Sequence, residues 1–154
     1  MTIDVTRAKN LEFDPLEVEV ERGRLRFFGR AIGETNPVYL DTAAAKAGGH
    51  PDIPVPPTFF FSLGMEAPEP FGYLDELGVD LRRILHGEQS FEYHALAHAG
   101  DRLTLQDRIV DVYAKRGGAL EFIVKQTEIT RGGAPIADVR SVIVVQNPKA
   151  EVTA

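Results

Sequence analysis

Four histidines, one loop carrying a carboxylate, an amide and a phenol, and one helix start hold most of the chemistry open to this 154-residue chain. There is no cysteine, which removes disulfides, thiolate nucleophiles and cysteine–metal sites. The loop carries Glu34, Asn36 and Tyr39. Glu34 reads either as a general base or as a solvated loop carboxylate. A tyrosine phenol, with a pKa near ~10 in model peptides, is a poor base at neutral pH but can donate a proton or anchor a hydrogen bond, so Tyr39 reads either as an acid or anchor in a pocket or as an aromatic that packs there. Asn36 precedes Pro37, and its side chain suits an Asx turn that fixes the loop. His86 opens His86-Gly87-Glu88-Gln89 where a loop meets a strand, so it either faces a pocket or sits on plain surface. His94 and His98 are four apart in strand and turn, which is not a helical metal-ligand pair, and no metal is expected. His50 lies in a proline-rich loop and reads as solvated. The pairs Arg82-Arg83 and Lys115-Arg116 either meet phosphates or form ordinary solvated surface.

The elements that must position these groups centre on residues 57–66. Three phenylalanines followed by Leu63 and Met65 leave that stretch almost no polar face, so it must be buried. Pro57 suits a first helical position, while Gly64 and Pro68 mark the end. The expectation is a buried helix of about three turns, with a buried strand as the alternative. Upstream, residues 16–21 alternate as a half-buried strand. Leu25, Phe28 and Ile32 then mark the apolar face of an amphipathic helix that Gly33 ends. Asp41 caps a short helix over 42–47, and four prolines between 51 and 57 stiffen the approach to the buried helix. A further short helix fits 71–77. From Leu85 onward the pattern is sheet: strands near 85–95, 102–114, 120–130 and 136–146, with turns at Gly100-Asp101, 115–118 and 131–135. Apolar parity shifts inside the second of these, from Leu103, Leu105 and Ile109 to Val110 and Val112, as a bulge would cause. Val142 and Val144 make the end of the last strand apolar on both faces, as at a contact with another subunit.

The class is therefore α+β: one antiparallel sheet bent around one buried helix, in a single domain over 1–154 with flexible ends at about 1–9 and 148–154. The formal charge of −6 argues against nucleic acid as the main partner. No apolar run approaches the ~18 residues of a membrane span, and the N-terminus has no signal-peptide pattern, so a cytoplasmic protein is expected.

The run Gly33-Glu34-Thr35-Asn36-Pro37-Val38-Tyr39 resembles the MaoC-like family of (R)-specific enoyl-thioester hydratases and 3-hydroxyacyl-thioester dehydratases, which have the hot-dog fold. Gly33, Asn36, Pro37 and Val38 match its motif, and Asp41 with Ala43-Ala44-Ala45 continues the match. Pro56-Pro57-Thr58-Phe59 looks more like the N-terminal-type dehydratase subunits. The resemblance spans about residues 10–146. It puts Glu34 at the family's catalytic aspartate and Tyr39 at its catalytic histidine, the pair that shares the water added to or removed from the double bond. Glu34 keeps the charge but moves it by ~1.5 Å, an offset that can cost orders of magnitude in rate. His86 is then the best substitute base. Asn36 would help orient the pair, and backbone N–H groups at Thr58 and Phe59 would polarise the thioester carbonyl.

What the resemblance implies is a dimer binding acyl-CoA or acyl-carrier-protein thioesters, without a cofactor, and reversibly hydrating a 2-enoyl thioester. The dimer is either with itself or with a related hot-dog subunit. The chain is either catalytic itself, through Glu34, Tyr39 and His86, or a scaffold that holds the acyl chain while a partner supplies an intact aspartate and histidine. A thioester-binding protein without chemistry is the third reading.

Overall fold

A computed structural model describes residues 3–147. The chain runs α1 (Val5–Lys9), β1 (Leu16–Glu19), α2 (Arg22–Ala31), a 3-10 turn at Pro37–Tyr39, and α3 (Thr42–Ala47). The buried helix follows as a 3-10 turn (Pro57–Phe59), α4 (Phe60–Leu63) and a second 3-10 turn (Gly64–Glu66). Then come α5 (Gly72–Glu76), β2 (Ile84–Tyr93), β3 (Arg102–Lys115), β4 (Leu120–Arg131) and β5 (Ala134–Gln146).

The five strands form one antiparallel sheet in the order β1-β3-β4-β5-β2. Its concave face holds the helical segment, as the α+β reading expects. Phe59, Phe60 and Leu63 bury against Val18, Leu103, Leu105, Ile129 and Val139. The segment is not apolar on all sides of its surroundings, however: Met65 is exposed and Phe61 half-buried. The parity shift in β3 is a register break between Ile109 and Asp111, the expected bulge. Asp41 caps α3 by accepting from Ala44 N at 2.8 Å. In α2, Leu25 is fully buried and Phe28 packs on the core, but Ile32, at the C-cap, is 55% exposed rather than part of the apolar face.

Residues 3–9, within the stretch expected as a flexible end, are folded. Ile3 and Ala8 are buried, and α1 packs along β3 beyond the four-residue pairing with β1. It covers a strand edge whose backbone groups β1 leaves unpaired. Buried Glu121 accepts from Ile3 N at 3.1 Å and Asn147 Nδ2 at 2.6 Å, tying the two ends of the described chain together. The expected flexible stretch 148–154 lies outside the described residues.

Candidate functional site

In the loop after α2, side chains of the loop itself satisfy several of its backbone groups. Gly33 takes φ +74°, a left-handed turn that L side chains resist. Glu34 Oε1 accepts from Thr35 N at 2.9 Å and Asn36 N at 2.8 Å. Asn36 Oδ1 accepts from Val38 N at 3.1 Å, the expected Asx cap. Tyr39, half-buried, closes the 3-10 turn through its N–H to Asn36 O at 3.1 Å. Arg26 fastens α2 to the far side of this loop, donating to Leu40 O and Thr42 Oγ1, each at 3.2 Å. Part of the Glu34 carboxylate is thus engaged as a loop cap, which uses about half of its four acceptor positions.

The helix start lies against α2. Phe59 meets the Phe28 ring edge-on at 5.2 Å, and the Arg24 guanidinium sits 5.5 Å over it while pairing with Glu66. Thr58 is exposed, but the Phe59 N–H donates to Pro56 O at 2.9 Å. That N–H is committed to the turn, so a carbonyl arriving here would depend on Thr58.

A cavity of about 260 Å³ lies between the concave sheet and the later part of the helical segment. Phe60, Phe61, Met65 and Phe71 form one wall, and Ile84, Val139 and Ile143 the other. His86 lines it, 5.4 Å from the Phe61 ring, with Nε2 3.1 Å from Glu88 O. Glu34, Asn36, Tyr39, Thr58 and Phe59 do not line it. The six candidate residues therefore fall into three places: the loop, the helix start and the cavity. A more open groove of about 460 Å³ adjoins the cavity through Gly64, Pro70, Tyr73 and Leu105.

Sequence reasoning missed the polar residues on the concave face. Lys125 Nζ donates to Asp107 Oδ2 at 2.6 Å, and Thr127 Oγ1 to Asp107 Oδ1 at 2.5 Å. Ser141 Oγ donates to Gln89 Oε1 at 2.7 Å. Tyr73 on α5 covers the group, its ring 5.5 Å from Lys125 Nζ. Burial, aided by the nearby Asp107 carboxylate, pushes the Tyr73 phenol well above its ordinary value and keeps it neutral. The missed signal was parity: Lys125 and Thr127 share the parity of Ile123 and Ile129, so they face the core side with them.

Other expectations change. His50 is half-buried rather than solvated, its Nδ1 3.1 Å from His98 Nε2. Arg82 lies on solvated surface, one of its two expected settings, with its side chain 89% exposed and paired with Asp80 at 2.7 Å, whereas Arg83 donates to Gln146 O at 2.7 Å. Among the described residues no cluster suits a metal ion, and no helix is long and apolar enough to cross a membrane.

A family model described as "FAS1-like, dehydratase domain region" matches residues 8–139. The chain belongs to this family. The UPF0336 protein of Saccharopolyspora erythraea is 37% identical over 129 residues, covering 83% of this chain and 81% of that one. Among solved structures, a MaoC-like dehydratase from Phytophthora capsici has a TM-score of 0.80 at 20% identity, over 96% of this chain and 52% of that one. This chain thus spans about half of that protein. The HadBC (3R-hydroxyacyl-ACP dehydratase) complex from Mycobacterium tuberculosis has a TM-score of 0.72 at 22% identity, over 87% and 99% of the two chains. The fold is the hot-dog fold of MaoC-like dehydratases.

Proposed function

We propose that this chain is the acyl-binding half of a cytoplasmic 2-enoyl-thioester hydratase or 3-hydroxyacyl-thioester dehydratase. In this reading it forms one hot-dog domain and holds the acyl chain of a coenzyme A or acyl-carrier-protein thioester. A related subunit brings the catalytic aspartate and histidine. The observation that carries the proposal is a phenylalanine-walled cavity in a chain whose motif holds Glu34 and Tyr39, with the Glu34 carboxylate engaged on its own loop. The cavity under Phe60 and Phe61 is walled mostly by apolar side chains, with His86, Lys125, Thr127 and Ser141 among them, and suits an acyl chain. Glu34 and Tyr39, at the motif's catalytic positions, lie outside it, and Glu34 caps its own loop. The reading is further supported by the likeness to HadBC, a 3R-hydroxyacyl-ACP dehydratase complex, and to a MaoC-like dehydratase about twice this chain's length.

The free edge of β2 is the natural place for the partner. β2 ends the sheet, its pattern is largely exposed, and Leu85 on it is 53% exposed. An edge of this kind invites pairing. In a catalytic complex the chain's Thr58 N–H and Asn36 would support the thioester end, while the partner's pair moves the proton.

The test is hydration of a short and a long 2-enoyl-CoA, followed as loss of the conjugated enoyl absorbance. It is run with this chain alone and with a related hot-dog subunit carrying an intact motif. Acyl-CoA binding without turnover alone, and turnover on mixing, is the expected result. Turnover by the chain alone that falls in Glu34→Gln would replace the proposal with the self-sufficient reading, in which Glu34 is the base and Tyr39 or His86 assists.

A further inference from the structure

The concave wall of the cavity is crossed by a polar row that an alkyl chain does not need. Register puts Lys125 opposite Ser141, Ser141 opposite Gln89, and Thr127 opposite Asp107. Lys125 and Thr127, two apart on β4, point to the same face. Lys125, Thr127 and Ser141 all line the cavity, and the Lys125 side chain is only 15% exposed. Lysine is rarely buried unless paired, and here Asp107 pairs it.

The hydrogen-bond accounting defines what this row can still recognise. A carboxylate only accepts, so the Thr127 hydroxyl must donate to Asp107 and keep its lone pairs. Gln89 Nε2 donates to Arg140 O at 3.1 Å, which orients the amide so that its Oε1 takes the Ser141 proton. Ser141 oxygen therefore also keeps its lone pairs. Lys125 has three N–H groups, of which Asp107 takes one, while the Tyr73 ring shields the cation on one side. The row thus presents ammonium N–H donors and hydroxyl acceptors side by side.

A neutral hydroxyl matches both kinds of group. A ketone matches the donor alone. A carboxylate would meet a lysine whose charge is already balanced and would face the Asp107 charge. A plain methylene run would leave the donors unmatched. The helix start does not share the row's cavity: the residues of the buried segment that line it are Phe60, Phe61, Gly64 and Met65, whereas Thr58 and Phe59 do not.

We propose that the row of Lys125, Ser141 and Thr127, facing Phe60 and Phe61 across the cavity, selects an acyl thioester whose chain carries a neutral oxygen function, a hydroxyl before a ketone, away from the reacting end. This rests on the acyl-thioester reading above. It makes the three residues specificity determinants of the chain-binding site.

The experiment is calorimetric binding to the full chain of decanoyl-CoA and of hydroxydecanoyl-CoA isomers with the hydroxyl at successive carbons. It is repeated with Ser141→Ala and Lys125→Met, each checked for native circular dichroism. Ser141→Ala removes one oxygen from a well-packed position and keeps the test usable if Lys125→Met fails to fold. At least one isomer hydroxylated in the outer half of the chain should bind about tenfold tighter than decanoyl-CoA. That preference should shrink to about twofold in Ser141→Ala. Equal binding of plain and hydroxylated chains would overturn the inference and leave the acyl-thioester reading standing, with the row holding only water. A preference confined to the hydroxyl beside the thioester, or one that persists unchanged in both variants, would also overturn it. Failure of every acyl-CoA to bind would instead sink the thioester reading, and this inference with it.

Discussion

Asp107→Asn should be the most informative single change in the molecule. The carboxylate holds Lys125 Nζ at 2.6 Å and Thr127 Oγ1 at 2.5 Å. Asparagine keeps the shape and one acceptor but removes the charge. Lys125, 15% exposed, would then be a cation facing Tyr73, Ile143 and the phenylalanine wall without its counter-ion. Removing one partner of a fully buried ion pair costs about 3–5 kcal/mol. The Asp107 side chain is 26% exposed, so water reaches part of the group and the cost falls to about 2–3 kcal/mol. For a chain of this size that lowers Tm by roughly 5–10 °C. The assay is equilibrium urea unfolding at neutral pH and fixed protein concentration, for Asp107→Asn, Lys125→Met and the double variant. Because the double variant removes the orphaned cation, it should be more stable than Asp107→Asn alone by about 1–2 kcal/mol. A loss under about 0.5 kcal/mol for Asp107→Asn, or a double variant equal to the sum of the singles, would refute the reasoning.

Three further outcomes follow from local geometry. Glu34→Ala removes the acceptor for two backbone N–H groups and should loosen the loop by about 1–2 kcal/mol, read as faster amide exchange at Thr35 and Asn36; Glu34→Gln, which keeps one acceptor, should lose less, and equal exchange in all three proteins would contradict the cap. A Cβ on Gly87 would lie 2.7 Å from Val144 Cγ2 and 3.2 Å from Val142 O, so Gly87→Ala should displace the β2 edge at about 1–3 kcal/mol; sedimentation should show weaker self- or partner association, and unchanged association would remove β2 from the interface. Burial lowers the His98 pKa, with His50 and Arg131 lowering it further against Asp101 and Asp52. The unfolded chain therefore binds more protons once pH drops below the ordinary histidine value of about 6.5, and stability falls from there toward the lower folded pKa. Tm measured from about pH 7.5 down to 5.5 should decline less steeply in His98→Gln than in the parent; parallel curves would exclude His98 as the source.

The parts of the fold legible in the sequence are those set by local rules. The α3 boundaries follow from Asp41 and the glycines after the alanine run, and the bulge in β3 follows from the parity change around Val110. The buried helix was legible from Phe59, Phe60 and Leu63, but its composite 3-10 and α winding was not, since it depends on packing against α2 and the sheet. Residues 3–9 carry too short a pattern to reveal α1, whose order comes from β3 and from Glu121, over a hundred residues away. The candidate site divides in the same way. Asn36 capping Val38 is a two-residue effect and was readable. That the Phe59 N–H serves its own turn, and that His86 alone of the six candidates reaches the cavity, depends on tertiary placement.

The polar row combines a local pattern with tertiary placement. Asp107 interrupts Leu105 and Ile109, Lys125 and Thr127 interrupt Ile123 and Ile129, and Ser141 interrupts Val139 and Ile143, all at core-facing parity. One such interruption is commonly a local accident of packing. Three on adjacent strands, in register and bonded to one another or to a neighbour across the sheet, form a connected feature. An apolar row of similar volume would be neutral or favourable for stability, because desolvating a lysine–carboxylate pair opposes its attraction. Stability alone therefore gives no reason for the row. Its position on the cavity wall, with donors and acceptors left over, gives one: it matches a ligand with an oxygen at that depth.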